Sequence, residues 1–203
     1  MNLPSTPPSR PRRRAPKERR LELMNAAQSL FLEKGIQHTS VDDIVAAADV
    51  AKGTFYVHFG SKDILLMALQ QRFIDDFCQR THHALQQPYA NWEQRLLHWF
   101  DAALGCLIHQ ELLHDMLFHD IHPASRSLMQ NNPVVDQLRQ LILDGHATAV
   151  WHCDHPQEMA IMMFQSMHGL ADMLISNKTP QQHSALAHLL ASSFSAALTL
   201  NIS

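Results

Sequence analysis

The sequence predicts an all-α protein, and three observations carry that prediction. Apolar residues recur at helical spacing along most of the chain. No stretch alternates Val, Ile or Thr with polar residues in the manner of a strand. Five prolines (Pro88, Pro123, Pro133, Pro156 and Pro180) stand between the helical stretches, where a missing N–H costs least. Apolar residues make up 46% of the 203, enough to bury a core in one large or two small domains.

The other five prolines, Pro4, Pro7, Pro8, Pro11 and Pro16, crowd the first sixteen residues with Ser, Thr and Arg. Such a segment cannot form a core, so residues 1–16 read as a disordered basic arm. A first helix is expected over 17–34, where Leu23, Ala26, Ala27, Leu30 and Phe31 share one face. Gly35 then suits a C-terminal residue in the left-handed conformation. A second helix covers 41–48, opened by a capping box of Ser40 and Asp43, and a third covers 52–59. Ser61 is a good N-cap for a fourth, running to His82. A fifth is expected over 91–109, a short sixth over 111–120, and a seventh from Pro133 to 151. Two long helices, over 156–176 and 180–200, close the chain.

Composition excludes several functions. Charged residues are 17% and the formal net charge is −3, so the chain is no general polycation, and nucleic-acid contact needs a local basic patch. The charge is split: residues 1–65 carry ten Lys/Arg and seven acids, whereas 66–203 carry six and twelve. A basic head before an acidic body hints at nucleic-acid contact by the head. Cys78, Cys106 and Cys153 have no paired spacing, which excludes a disulfide scaffold and fits a reducing cytoplasm. No apolar run approaches the ~20 residues that span a bilayer. The charged N-terminus is not followed by the apolar stretch of a secretion signal. The expectation is a cytoplasmic protein with no membrane partner.

Residues 39–62 are the most informative. Two short helices are joined by a tight turn at Asp49–Ala51, and Ile44, Val45, Val50, Phe55 and Phe59 supply apolar contacts between them and the first helix. That is the shape of a helix-turn-helix, whose second helix can lie in a DNA major groove. Lys52, Gly53, Thr54, Tyr56, Val57 and His58 form its exposed set. An ordinary αα-corner has the same outline; the basic arm just before the first helix favours DNA.

Residues 17–65 resemble the DNA-binding head of TetR-family transcriptional regulators. The resemblance rests on Phe31…Gly35, Thr39-Ser40-Val41…Ile44 and Ala48…Val50. It is densest over Lys52-Gly53-Thr54-Phe55-Tyr56-Val57-His58-Phe59, with Ser61-Lys62 and Leu65-Leu66. Two positions depart from the usual pattern: Asp49 where a turn glycine is common, and Ala51 where a capping Ser or Thr is common. Asp tolerates a left-handed turn better than most residues, while Ala51 gives up a cap worth ~1 kcal/mol. The resemblance implies a three-helix helix-turn-helix head over 17–65 followed by a helical-bundle ligand-binding and dimerisation body over 66–203. It implies a homodimer, in the manner of a repressor, that binds palindromic double-stranded operator DNA and is released by a small-molecule effector.

Roles carry over by position. Tyr56 and Lys62 look like phosphate clamps, with Thr39 or Ser40 doing the same at the second helix. Lys52, Gly53, Thr54 and His58 are the candidates for the groove, because phosphate contacts position and base contacts specify. Phe55 and Phe59 belong to the core. Arg10, Arg12, Arg13 and Arg14 either reach into a minor groove or form a solvated charge run.

The last two helices carry Met159, Met162, Met163, Met167, Leu170 and Leu174, then Leu186, Leu189, Leu190, Phe194, Ala197 and Leu198. The resemblance implies a four-helix dimer interface from two copies of this pair. Candidate pocket residues among helices four to eight are Phe73, Phe77, Trp99, Phe100, Met116, Phe118, Met129, Trp151, Met163 and Met167. Trp, Phe and Met with few charges suit an apolar or aromatic effector.

Thirteen of fifteen histidines lie in the body. His109, His114, His119 and His122 form one set with Asp115; His152, Cys153, Asp154, His155 and Glu158 form another. Both hold metal-ligand residue types, so a metal- or haem-sensing regulator is the alternative, and a metal-dependent helical enzyme a more distant one. Neither set has a recognised ligand spacing, and no nucleophile–base pair is present. We expect no enzyme, no cofactor and no metal. His98 and His168, each among apolar residues on a long helix, are candidates to hydrogen-bond a ligand.

Overall fold

The computed structural model describes residues 15–118 and 132–199. The arginines of the arm, the end of the expected sixth helix, Pro123, Met129, His119 and His122 lie outside the described residues. Every regular element among those described is helical. The order is α1 (Pro16–Lys34), α2 (Val41–Ala47), α3 (Lys52–His58), α4 (Lys62–Leu85), α5 (Trp92–His109) and α6 (Glu111–Phe118). There follow α7 (Pro133–Ala147), α8 (Pro156–Ser176), a 3-10 turn (Pro180–Gln182) and α9 (His183–Thr199). The chain divides into two compact units, one ending at Leu66 and the other beginning at Met67, with α4 contributing to both.

In the first unit, α1 to α3 close on Leu23, Met24, Ala27, Phe31, Ile44, Val45, Phe55 and Phe59, all buried. Local chemistry explains the ends of these helices. Pro16 opens α1, and Gly35 ends it with its N–H on the Phe31 carbonyl. Gly35 has the expected positive φ, 84°, but with ψ 156° rather than the left-handed helical value. That region is open to glycine almost alone, and it sends the chain away extended instead of curling it back. Ser40 and Asp43 form the expected reciprocal cap: Asp43 N–H donates to Ser40 Oγ at 3.1 Å, and Ser40 N–H to Asp43 Oδ2 at 2.8 Å. Asp49 takes the turn at φ 51°, and Ala51 precedes α3 with no side-chain cap. Arg20 lies over the Phe59 ring, 4.9 Å from its centre.

In the second unit, α5 is the central helix. It buries Leu96, Trp99, Phe100, Ala103, Leu104 and Leu107, and packs against α9 and α8, while α7 packs along α8. A polar knot ties α4, α5 and α7 together. Gln137 Oε1 accepts from Thr81 Oγ1 at 2.6 Å and from Trp99 Nε1 at 2.7 Å, and Gln137 Nε2 donates to the Cys78 carbonyl at 3.2 Å. Thr81 is fully buried, so its hydroxyl needs these partners.

Three expected boundaries move, the first being the end of the fourth helix, which runs past His82 to Leu85. The seventh helix ends at Ala147, not 151, because Ala149 turns to φ 57° and Trp151 folds back onto Gly145. A Cβ at position 145 would overlap the indole, so this glycine inside α7 is the seat of Trp151. The last helix starts at His183, since Pro180 opens a short 3-10 turn first.

Candidate nucleic-acid interface

The α3 helix turns Phe55 inward, with the Phe59 ring 5.8 Å away in the same core. The 3.6-residue period then leaves Lys52, Gly53, Tyr56 and Val57 exposed together. Tyr56 is 52% exposed and Val57 81%, a high value for an apolar side chain on a helix. Nothing lies within 4 Å of a Cβ built at Gly53, so this part of the surface is open. Thr54 and His58 flank the face half-buried.

The remaining predicted contacts are engaged within the unit. Thr39 is buried, its hydroxyl donating to the Gly35 carbonyl at 2.8 Å. The Ser40 hydroxyl donates to Asp43 Oδ2 at 2.7 Å. Lys62 Nζ donates to the carbonyls of Ile36 at 2.8 Å and Thr39 at 3.0 Å, pinning the segment that leads into α2. Lys52 pairs with Asp42 at 2.8 Å, and that contact raises the lysine pKa through its hydrogen bond and charge. Lys34 pairs with Asp43 at 3.1 Å. The Asp43 carboxyl is held down to about 2, first by the Ser40 hydroxyl, then by the Ser40 N–H and Lys34. The α3 face therefore stands beside acids that are already matched by lysines. Sequence spacing alone does not show the Lys34–Asp43 and Lys52–Asp42 pairs, which join different helices.

In the second unit several of the candidate pocket residues lie in ring pairs. Phe73 and Phe118 pack edge to face at 5.6 Å beside His114. Phe77, Trp99 and Phe100 form another group, and the Trp151 ring lies 5.2 Å from the Trp92 ring, tilted at 58° to it. Met163 and Met167 are fully buried in α8, while Met116 is half-buried. Of the two singled-out histidines, His168 donates Nδ1–H to the Phe164 carbonyl at 3.0 Å, and burial lowers its pKa. His98 Nδ1 is buried without a hydrogen-bond partner. Among the described residues no three of His, Cys, Asp and Glu converge as a metal-ligand set. Burial pushes the Cys78 and Cys106 thiols up to about 11. No helix among the described residues is long and apolar enough to cross a membrane.

Residues 23–69 match the family profile of bacterial regulatory proteins of the tetR family. The chain is 35% identical over 95 residues to the HTH-type transcriptional repressor DhaR of Mycobacterium sp. (strain GP1), covering 44% of this chain and 48% of DhaR. It thus spans about half the length of that relative. It is 30% identical over 140 residues to the HTH-type transcriptional repressor KstR2 of Mycobacterium tuberculosis, covering 63% of this chain and 68% of KstR2. The chain belongs to the TetR family. The fold of this TetR-family protein is similar to that of a solved tetR-family bacterial regulatory protein from Rhodococcus RHA1. There the TM-score is 0.64 at 16% identity, covering 89% of this chain and 97% of that one. As a TetR-family member it is a regulatory protein rather than an enzyme.

Proposed function

We propose that this protein is a transcriptional repressor that binds palindromic operator DNA as a homodimer and is released by a small apolar or aromatic effector. The observation that carries the reading is the open α3 face, with Lys52, Gly53, Tyr56 and Val57 exposed on a TetR-family helix-turn-helix. In this reading Lys52, Gly53, Thr54 and His58 meet base edges, with Gly53 allowing close approach. Tyr56 donates to phosphate from the rim. Lys62 adds charge for a second phosphate while holding the Ile36 and Thr39 carbonyls. Thr39 and Ser40 hold the start of α2, where the same backbone strand passes.

The effector would occupy the aromatic body, with Phe73, Phe77, Trp99, Phe100, Met116, Phe118, Trp151, Met163 and Met167 as the candidate lining. The α4 helix is continuous from Lys62 to Leu85, so a ligand pressing on Phe73 and Phe77 acts on the rod that begins at Lys62. A coupling of ~1–3 kcal/mol lowers operator affinity ~5–150-fold, and operator must weaken effector binding by the same factor.

The test is fluorescence anisotropy with duplex DNA from beside the protein's own gene, at several salt concentrations. Tyr56→Phe weakens all sequences alike. Lys62→Ala does so too and flattens the slope of log K against log salt by about one unit. Tyr56→Phe is the cleaner probe, because Lys62→Ala also frees two carbonyls. A changed sequence preference at an unchanged salt slope would overturn the phosphate assignment.

A further inference from the structure

Val57 on α3 is 81% exposed, the most exposed large apolar side chain among the described residues. Its neighbours leave it standing clear. Gly53, one turn back on the same face, has no side chain, and nothing lies within 4 Å of a Cβ built there. The adjacent Tyr56 ring is propped edge-on against the buried Phe55 ring, with centres 5.4 Å apart and planes at 84°. The helix gains nothing from a valine at this place. Branching at Cβ lowers helix propensity, and so exposed a side chain recovers little through burial.

Chemistry narrows what Val57 can meet. Its side chain has no donor or acceptor, so it neither hydrogen-bonds a base edge nor holds a phosphate. A helical valine keeps almost wholly to one χ1 well, so its two methyls are fixed before any contact forms. The other large side chains on this face have different tasks. Lys52 is drawn towards α2 by Asp42, at 2.8 Å, and Tyr56 ends in a hydroxyl that donates. In the major groove the bases present donors, acceptors and one apolar group, the C5-methyl of thymine.

We infer that Val57 is a specificity-determining residue whose methyls pack on a thymine C5-methyl in each half of the operator. The inference rests on the operator reading above and adds to it an apolar contact beside the polar ones of Lys52, Thr54 and His58. At one position per half-site the protein then prefers T·A to C·G, whose pyrimidine carries no methyl.

Selection by the full-length protein from a pool of random duplexes supplies the site to be tested. Each thymine of that site is then replaced in turn by deoxyuridine, which removes the methyl and leaves every hydrogen-bonding group in place. Binding is read by fluorescence anisotropy. At one thymine per half-site the replacement is expected to weaken binding about fourfold, the transfer value of one buried methyl. With Val57→Ala the same replacement costs less than about twofold, because the partner of the methyl is gone. Val57 lies outside the buried core of its unit, so the variant keeps the fold. The proposal is overturned if no thymine behaves this way with the wild-type protein. It is overturned equally if Val57→Ala loses as much as wild type, since the methyl then acts through DNA shape or another residue. A pool from which no duplex is enriched overturns the operator reading itself, and this proposal with it.

Discussion

Asp43 joins the cap of α2 to the end of α1, because its carboxylate takes the Ser40 N–H, the Ser40 O–H and the Lys34 ammonium. Each contact favours the ionised form, which is why its pKa falls from 3.8 to about 2. A folded-state pKa below the ordinary value contributes stability that is complete above 3.8 and is lost as pH falls through about 2. Asp43→Asn should therefore be less stable than wild type near neutral pH, and the gap should close in acid. Urea unfolding of both proteins at about pH 6 and about pH 2 checks this; a gap that persists unchanged in acid would contradict the linkage. At this scale Ser40 with Asp43 was legible, because a capping box is a pattern of spacing three. Lys34 with Asp43 was not, because nine residues and a helix boundary separate them.

Among the elements, α3 is the least secured. It has seven residues, buries only Phe55, and begins at Ala51 with no side-chain cap. Ala51→Ser should supply an acceptor for the free N–H groups of its first turn and stabilise the protein by ~1 kcal/mol. The expected observation is a higher urea midpoint at an unchanged slope. No gain would mean that Ala51 serves the geometry of the Asp49 turn better than a capping residue does. The α7 helix shows the converse. Its periodic pattern continues to Trp151, yet the helix stops at Ala147, because the indole finds a seat on Gly145 that only a folded-back chain can reach. A glycine inside a helical pattern is a weak signal, and the partner that fills its space cannot be read from spacing.

For the whole molecule, α8 and α9 bear on assembly. Their inward residues, Met163, Met167, Leu174, Leu190 and Leu198, are buried. Met162, Met173 and Leu189 remain 57%, 40% and 54% exposed on the same two helices. If a second copy covers them, as proposed, Met162→Glu/Leu189→Glu places charges in an apolar seam and should shift the protein to monomer. Sedimentation equilibrium reads the mass, and operator affinity should fall with it, since two heads no longer bind as one. A dimer that survives both changes would place the interface on another surface.

The helical class, the helix-turn-helix between Ser40 and Lys62, and the family were all legible before folding was considered. These rest on signals that act over a few residues: apolar periodicity, proline breaks, the glycine at 35, the Ser40 cap. What each side chain meets depends on how the helices pack. Lys62 reaches back to Ile36 and Thr39, Thr39 turns its hydroxyl into the core, Lys52 finds Asp42, and Gln137 gathers Thr81, Trp99 and Cys78. Those partners lie from a few residues to some sixty away along the chain, and packing rather than local propensity brings them together. The same reason leaves Trp151 legible as an apolar residue but not as a buried donor without an acceptor: burial and satisfaction are properties of neighbours, and neighbours exist only once the chain has folded.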